Sequence, residues 1–130
     1  MKKVIILFVT LFSAMLSYGQ QAQEKPIVDS IKVTPKLLKE IKEGKAILVD
    51  VRTPEEYNAG HLQYSKNIDY KNEDFKNQIV KLDKTKPVYL YCRSGNRSGK
   101  SADILKKSGY TTVYNIGGFD YLKTIGLPAE

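Results

Sequence analysis

Pro87-Val88-Tyr89-Leu90-Tyr91-Cys92-Arg93-Ser94-Gly95-Asn96-Arg97-Ser98 is the stretch from which the rest of the chain can be read. Pro87 to Tyr91 is a β-prone apolar run, which suits a buried strand. From about Ser98 to Lys107 the spacing changes to that of a helix, with Ala102, Ile104 and Leu105 on its buried side and Lys106 and Lys107 near its C-terminal end, where positive charge suits the helix dipole. Gly109 ends it. A strand running through a short loop into a helix places Cys92 at the carboxyl end of that strand, which is where open α/β sheets bind their ligands.

The same alternation extends in both directions. Ser30 to Val33 is a short alternating piece, after which Thr34 can cap a helix that has Pro35 at its first position and stops at Gly44. Ala46 to Val51 is a second buried strand, Pro54 to Ala59 a short helix stopped by Gly60, and Asn67-Ile68 a brief strand. Asn72 to Leu82 carries Phe75, Ile79, Val80 and Leu82 at helical spacing. Thr112 to Ile116 reads as a last strand, Gly117-Gly118 as a turn and Phe119 to Ile125 as a final helix. Strands alternating with helices predict an α/β fold: one domain with a mainly parallel central sheet and helices on both faces.

The chain has 130 residues, 42% hydrophobic and 27% charged, which sets aside disordered and fibrous classes. Residues 1–19 read as an export signal: Lys2 and Lys3, the 13-residue apolar run Val4 to Leu16, then Ser17-Tyr18-Gly19 with cleavage before Gln20. The run is short for a membrane span and includes Thr10 and Ser13. Residues 20–29 are polar and read as a flexible tether, leaving 30–130 as the folded domain. An exported protein, periplasmic or secreted, with no stable membrane insertion after cleavage, is expected.

Without Lys2 and Lys3 the formal charge falls from +7 to +5. The excess is concentrated between Lys76 and Lys107, where nine basic residues meet only Asp83 and Asp103. Such a field attracts small anions. Export and the lack of a recognition motif argue against nucleic acid as the partner. A single cysteine, Cys92, cannot form an internal disulfide, so in an oxidising compartment it is a candidate reactive thiol.

The loop supplies the reason for keeping it. Gly95 and Asn96 tolerate positive φ, so the backbone can curl until successive N–H groups point inward as an anion nest. The helix start, Arg93 and Arg97 add positive potential. Together they predict a thiolate nucleophile of lowered pKa.

At this point the chain resembles the single-domain rhodanese-like sulfurtransferases. Asp50-Val51-Arg52, Glu56-Tyr57, Gly60-His61-Leu62 and Asn67-Ile68 are similar to that family's first signature. Cys92-Arg93-Ser94-Gly95-Asn96-Arg97-Ser98 is similar to its active-site loop, and Val113-Tyr114-Asn115-Ile116, Gly117-Gly118 and Gly126-Leu127-Pro128 to its closing signature. The resemblance runs from about Ser30 to Pro128. It implies a rhodanese-type sulfurtransferase in which Cys92 takes a sulfane sulfur from a small anionic donor such as thiosulfate and passes the persulfide sulfur to cyanide, a thiol or a protein thiol. No cofactor or metal is implied. Arg93 and Arg97 would steer and hold the donor, Ser94 and Ser98 belong to the loop, and Gly95 and Asn96 shape it.

Two positions depart from the family. Leu122 stands where a tryptophan is common, and Tyr64-Ser65 where Gly-Ala is common; both bear on packing and the rim of the site. Asp50 and Arg52 are supporting candidates, with an Arg52–Glu56 ion pair or a carboxylate bracing the loops as the favoured arrangement. His61 is expected to satisfy a backbone group. Two other readings stand beside sulfur transfer: a cysteine phosphatase or arsenate reductase, whose loops place arginine one position further from the cysteine than Arg97, and a non-enzymatic persulfide carrier or partner-binding module.

Overall fold

The computed structural model describes residues 25–130, so the expected export signal and the start of the expected tether lie outside the described residues. Nine elements follow in order: α1 (Pro35–Lys42), β1 (Ile47–Asp50), α2 (Pro54–Asn58), β2 (Lys66–Asn67), α3 (Phe75–Ile79), β3 (Val88–Cys92), α4 (Asn96–Lys107), β4 (Val113–Gly118) and α5 (Phe119–Thr124). Thr34 caps α1 by accepting the Leu37 amide, as its position before Pro35 predicts. Among the described residues no helix is long and apolar enough to cross a membrane.

The four strands form one parallel sheet in the order β2-β1-β3-β4. Because side chains alternate along a strand, neighbours in sequence serve different layers. Val49, Val88, Leu90 and Cys92 pack with Phe75 and Ile79 of α3 and Ala102 and Leu105 of α4. Leu48, Tyr91 and Ile116 pack on the opposite face with Leu37 and Ile41 of α1 and Leu122 of α5. Each such fully buried aliphatic side chain contributes about 1.5–3 kcal/mol by leaving water. Truncating central Leu90 to alanine would cost about 2–5 kcal/mol. Leu122, read from the resemblance as standing where tryptophan is common, is fully buried in this second layer.

Four expectations are corrected. The helix expected from Asn72 begins only at Phe75, because Asn72 accepts the Asp74 amide through its side chain and so holds a turn. It ends at Ile79, which leaves Val80 exposed. Gly117-Gly118 is not a turn but the end of β4, pairing with Tyr91 and Cys92 after a register shift. Ser30 to Val33 forms neither helix nor strand. The stretch expected to be a tether is also without secondary structure over Lys25 to Asp29, yet it is bound to the edge strand β4: the Asp29 amide donates to the Asn115 carbonyl at 2.7 Å, and Asp29 Oδ2 accepts the Asn115 amide at 2.9 Å. Tyr64, where the family often has glycine, holds φ at +65°.

Candidate active site

β3 and α4 are joined by only three residues, Arg93 to Gly95, because the helix begins at Asn96, two residues earlier than the spacing predicts. Gly95 makes this possible with φ of +92°, while Asn96 is already helical. Gly118 makes it possible from the other side. A β-carbon there would lie 2.4 Å from the Arg93 carbonyl oxygen, so only glycine lets the end of β4 pack against the loop backbone.

The resulting site is centred on the Cys92 sulfur. The Gly95 amide donates to Sγ at 3.0 Å and the Ser98 hydroxyl lies 3.3 Å from it. No side chain caps the N-terminus of α4, and the amide of its N-cap residue Gly95 is turned to the sulfur. Burial pushes the thiol pKa up, but the Ser98 hydroxyl and the amides of Ser98, Ser94 and Gly95 outweigh it and hold the pKa below its ordinary value. A sulfur in this position can carry negative charge without a neighbouring base. Cys92 is 1% exposed, while Arg93 and Ser94 on the rim are exposed.

The two loop arginines differ. Arg97 is held by Glu56 of α2 through a two-point contact, Nη1 to Oε1 at 2.8 Å and Nη2 to Oε2 at 3.0 Å. Hydrogen bonding from Arg97 lowers the Glu56 pKa to about 2, and the same contact raises that of Arg97. Of the two arginines expected to hold a donor, Arg97 is thus already paired, while Arg93 is exposed at the rim.

Asp50 and Arg52 do not touch the sulfur. Residues two apart on extended chain share a side, so Arg52 pairs with Asp50 and not with Glu56 as expected: Nη2 lies 2.7 Å from Oδ2, with side-chain exposures of 6% and 0%. Arg52 also donates to the Gly60 carbonyl and lies over the Phe119 ring, its guanidinium carbon 4.3 Å from the centroid. The pair ties the end of β1 to Gly60, beyond α2, and to α5. Glu56 is the carboxylate that braces a loop. His61 meets a backbone group as expected, with Nδ1 2.9 Å from the Tyr57 carbonyl and its ring stacked on Tyr57.

The family described as the rhodanese-like domain matches residues 34–124. The chain belongs to this family. It is 43% identical over 76 residues to the uncharacterized protein YqhL of Bacillus subtilis strain 168, a match covering 58% of this chain and 59% of that protein. It is 40% identical over 80 residues to thiosulfate sulfurtransferase PspE of Escherichia coli strain K12, covering 62% and 74% respectively. A solved structure described as a rhodanese with anions from E. coli aligns with a TM-score of 0.53 at 37% identity, covering 65% of this chain and 96% of that one.

A recess of about 560 Å³ lies on the α1 side, lined by Leu38, Ile41, Leu48, Tyr64, Leu127 and Pro128 among others. It shares no residue with the Cys92 loop.

Reading by motif missed Asn115 and the Ile27–Asp29 segment. Asn115 sits inside the closing signature as an apparent strand residue, and a polar residue within an apolar strand was the signal for it.

Proposed function

We propose that this rhodanese-like chain is a sulfurtransferase that moves a sulfane sulfur from a donor such as thiosulfate to a thiol or cyanide through a persulfide on Cys92. The observation that carries the reading is a buried sulfur faced by the Gly95 amide and the Ser98 hydroxyl at the uncapped start of α4. In the first step the Cys92 thiolate attacks the outer sulfur of thiosulfate; the new Sγ–S bond forms as the S–S bond breaks, and sulfite leaves with the bonding pair. In the second step the acceptor attacks the terminal sulfur, and Sγ recovers its electron pair. Loop amides stabilise negative charge on the sulfur in both.

Exposed Arg93 and the basic surface around α4 support an anionic donor. Three residues between strand and helix make a small nest, suited to a sulfur atom better than to a tetrahedral oxyanion. Export to the periplasm or beyond is part of the same proposal and rests on the Lys2 to Gly19 pattern.

The test is intact-mass measurement. Protein treated with thiosulfate is expected to gain one sulfur atom, to lose it on adding cyanide, and to do neither as Cys92→Ser. Unchanged mass in the wild type would overturn the proposal.

A further inference from the structure

Asn115 lies on β4, is 3% exposed, and uses its whole hydrogen-bonding capacity within the protein. Its Nδ2 donates to the carbonyls of Gly95 at 2.9 Å and Ile27 at 2.8 Å. Its Oδ1 accepts the Ser98 hydroxyl at 2.7 Å and the Gly117 amide at 3.3 Å. Two carbonyl partners on one end and two donors on the other fix the orientation of the amide. The same side chain therefore holds Gly95 and Ser98, whose amide and hydroxyl lie within hydrogen-bonding distance of the Cys92 sulfur.

The fourth partner lies outside the matched family region of residues 34–124. Ile27 accepts one Asn115 N–H, Asp29 pairs with the Asn115 backbone, and Val28 lies over both glycines: β-carbons at Gly95 and Gly117 would each come within 3.1 Å of its methyl carbons. The N-terminal segment thus clamps the asparagine through both its side chain and its backbone.

We propose that Asn115 is a positioning residue that aims the Gly95 amide and the Ser98 hydroxyl at Cys92, and that Ile27 to Asp29 holds Asn115 in place. The Ser98 hydroxyl has one hydrogen and two acceptors. Asn115 Oδ1, 2.7 Å from the Ser98 oxygen, fixes that hydroxyl at 3.3 Å from Sγ. The charged groups around Cys92 are Arg93 and Arg97 from its own loop and helix, with Asp50 of β1 and Glu56 of α2 both acting on Arg97, and Asp29 behind Asn115. Asn115 is uncharged, so replacing it leaves all of these in place.

The inference rests on Cys92 being the reactive group of the proposed function, but its test uses no sulfur donor. The pH dependence of Cys92 alkylation by iodoacetamide is measured for the full chain and for Asn115→Ala and Val28→Ala. The midpoint is expected to rise by about 0.5–1 unit in Asn115→Ala, roughly a three- to tenfold loss in the ratio of thiolate to thiol, and by about 0.2–0.3 unit in Val28→Ala. A merely structural asparagine would lower the melting temperature and leave the midpoint alone. An unchanged or lowered midpoint in Asn115→Ala, or in Asn115→Ser if the alanine variant does not fold, overturns the proposal. An unchanged midpoint in Val28→Ala removes the N-terminal segment from it. A chain that gains no sulfur from thiosulfate yet shows these shifts would refute the sulfurtransferase reading and leave the positioning role standing.

Discussion

The carboxyl ends of β1 and β3 are neighbours in the sheet, and each carries buried polar groups for a different purpose. At the end of β1, Asp50 and Arg52 satisfy each other: the guanidinium donates to both carboxylate oxygens and then to the Gly60 carbonyl. At the end of β3, backbone and hydroxyl donors converge on one sulfur, with an exposed arginine at the rim. A closed pair spends its electrostatic capacity on geometry; converging donors hold theirs for a charge that forms during a reaction. Proximity to strand ends therefore does not by itself identify chemistry. The state of the donors does.

Four substitutions would break or sharpen this contrast. The largest effect is expected for Cys92→Ser, where sulfur transfer from thiosulfate should fall by about a thousandfold or more, as when a sole nucleophile is removed. Serine still accepts from Gly95 and Ser98, so urea unfolding should register a loss of less than about 1 kcal/mol. Asp50→Ala should do the reverse. It leaves the Arg52 charge buried without its partner, at about 3–5 kcal/mol of stability. The midpoint for alkylating Cys92 in the folded variant should move by less than about 0.3 unit. If Asp50→Ala shifts that midpoint by a full unit, the two strand ends are one electrostatic device and the contrast fails.

Gly95→Ala comes third. The residue sits at φ of +92°, with Val28 and Gly117 atoms 3.1 and 3.3 Å from where the β-carbon would be. Left-handed backbone costs a non-glycine residue roughly 1–2 kcal/mol. Relief of that strain would turn the Gly95 amide away from Sγ. Slower alkylation near neutral pH and a raised midpoint are expected together with the stability loss.

The smallest effect concerns Glu56. Its pKa is held at about 2 against an ordinary 4.5, so the folded state binds the proton less readily than the unfolded chain. The stabilisation is fully present above about pH 4.5 and is lost as pH falls toward 2. The pair stays in contact with solvent, with Arg97 and Glu56 side chains 19% and 31% exposed, so screening keeps the contribution to about 1 kcal/mol. Stability of Glu56→Gln, followed by urea unfolding across this range, should lack that step. An identical pH profile in both proteins would mean that Arg97 is not held by this carboxylate in solution.

Much of the architecture was legible from residue order alone. Apolar runs of four to six residues separated by Gly, Pro and helical spacing identify buried parallel strands, because such strands are covered on both faces and need no polar side. Cys92 was legible for a different reason: a lone cysteine between a strand and a helix, followed by Arg93-Ser94-Gly95, combines a candidate reactive thiol with backbone freedom in four residues. Local chemistry of that kind is written contiguously. The short α3 was less legible, since the Asn72 side chain competes for the backbone that apolar spacing assigns to a helix.

Pairings across the sheet depend on the third dimension. Whether Arg52 meets Asp50 or Glu56, and which carboxylate takes Arg97, depends on which side of an extended backbone each residue leaves and on how α2 lies against α4. Asn115 lies 20 residues from Gly95 and 88 from Ile27, and no local pattern reports such contacts. The sequence by itself determined the fold class, the candidate reactive cysteine and the backbone curl of its loop, because these follow from periodicity and neighbouring residues. The tertiary structure alone decided what holds those donors in place, because a buried polar side chain takes its partners from whichever segments the packed core brings within about 3 Å.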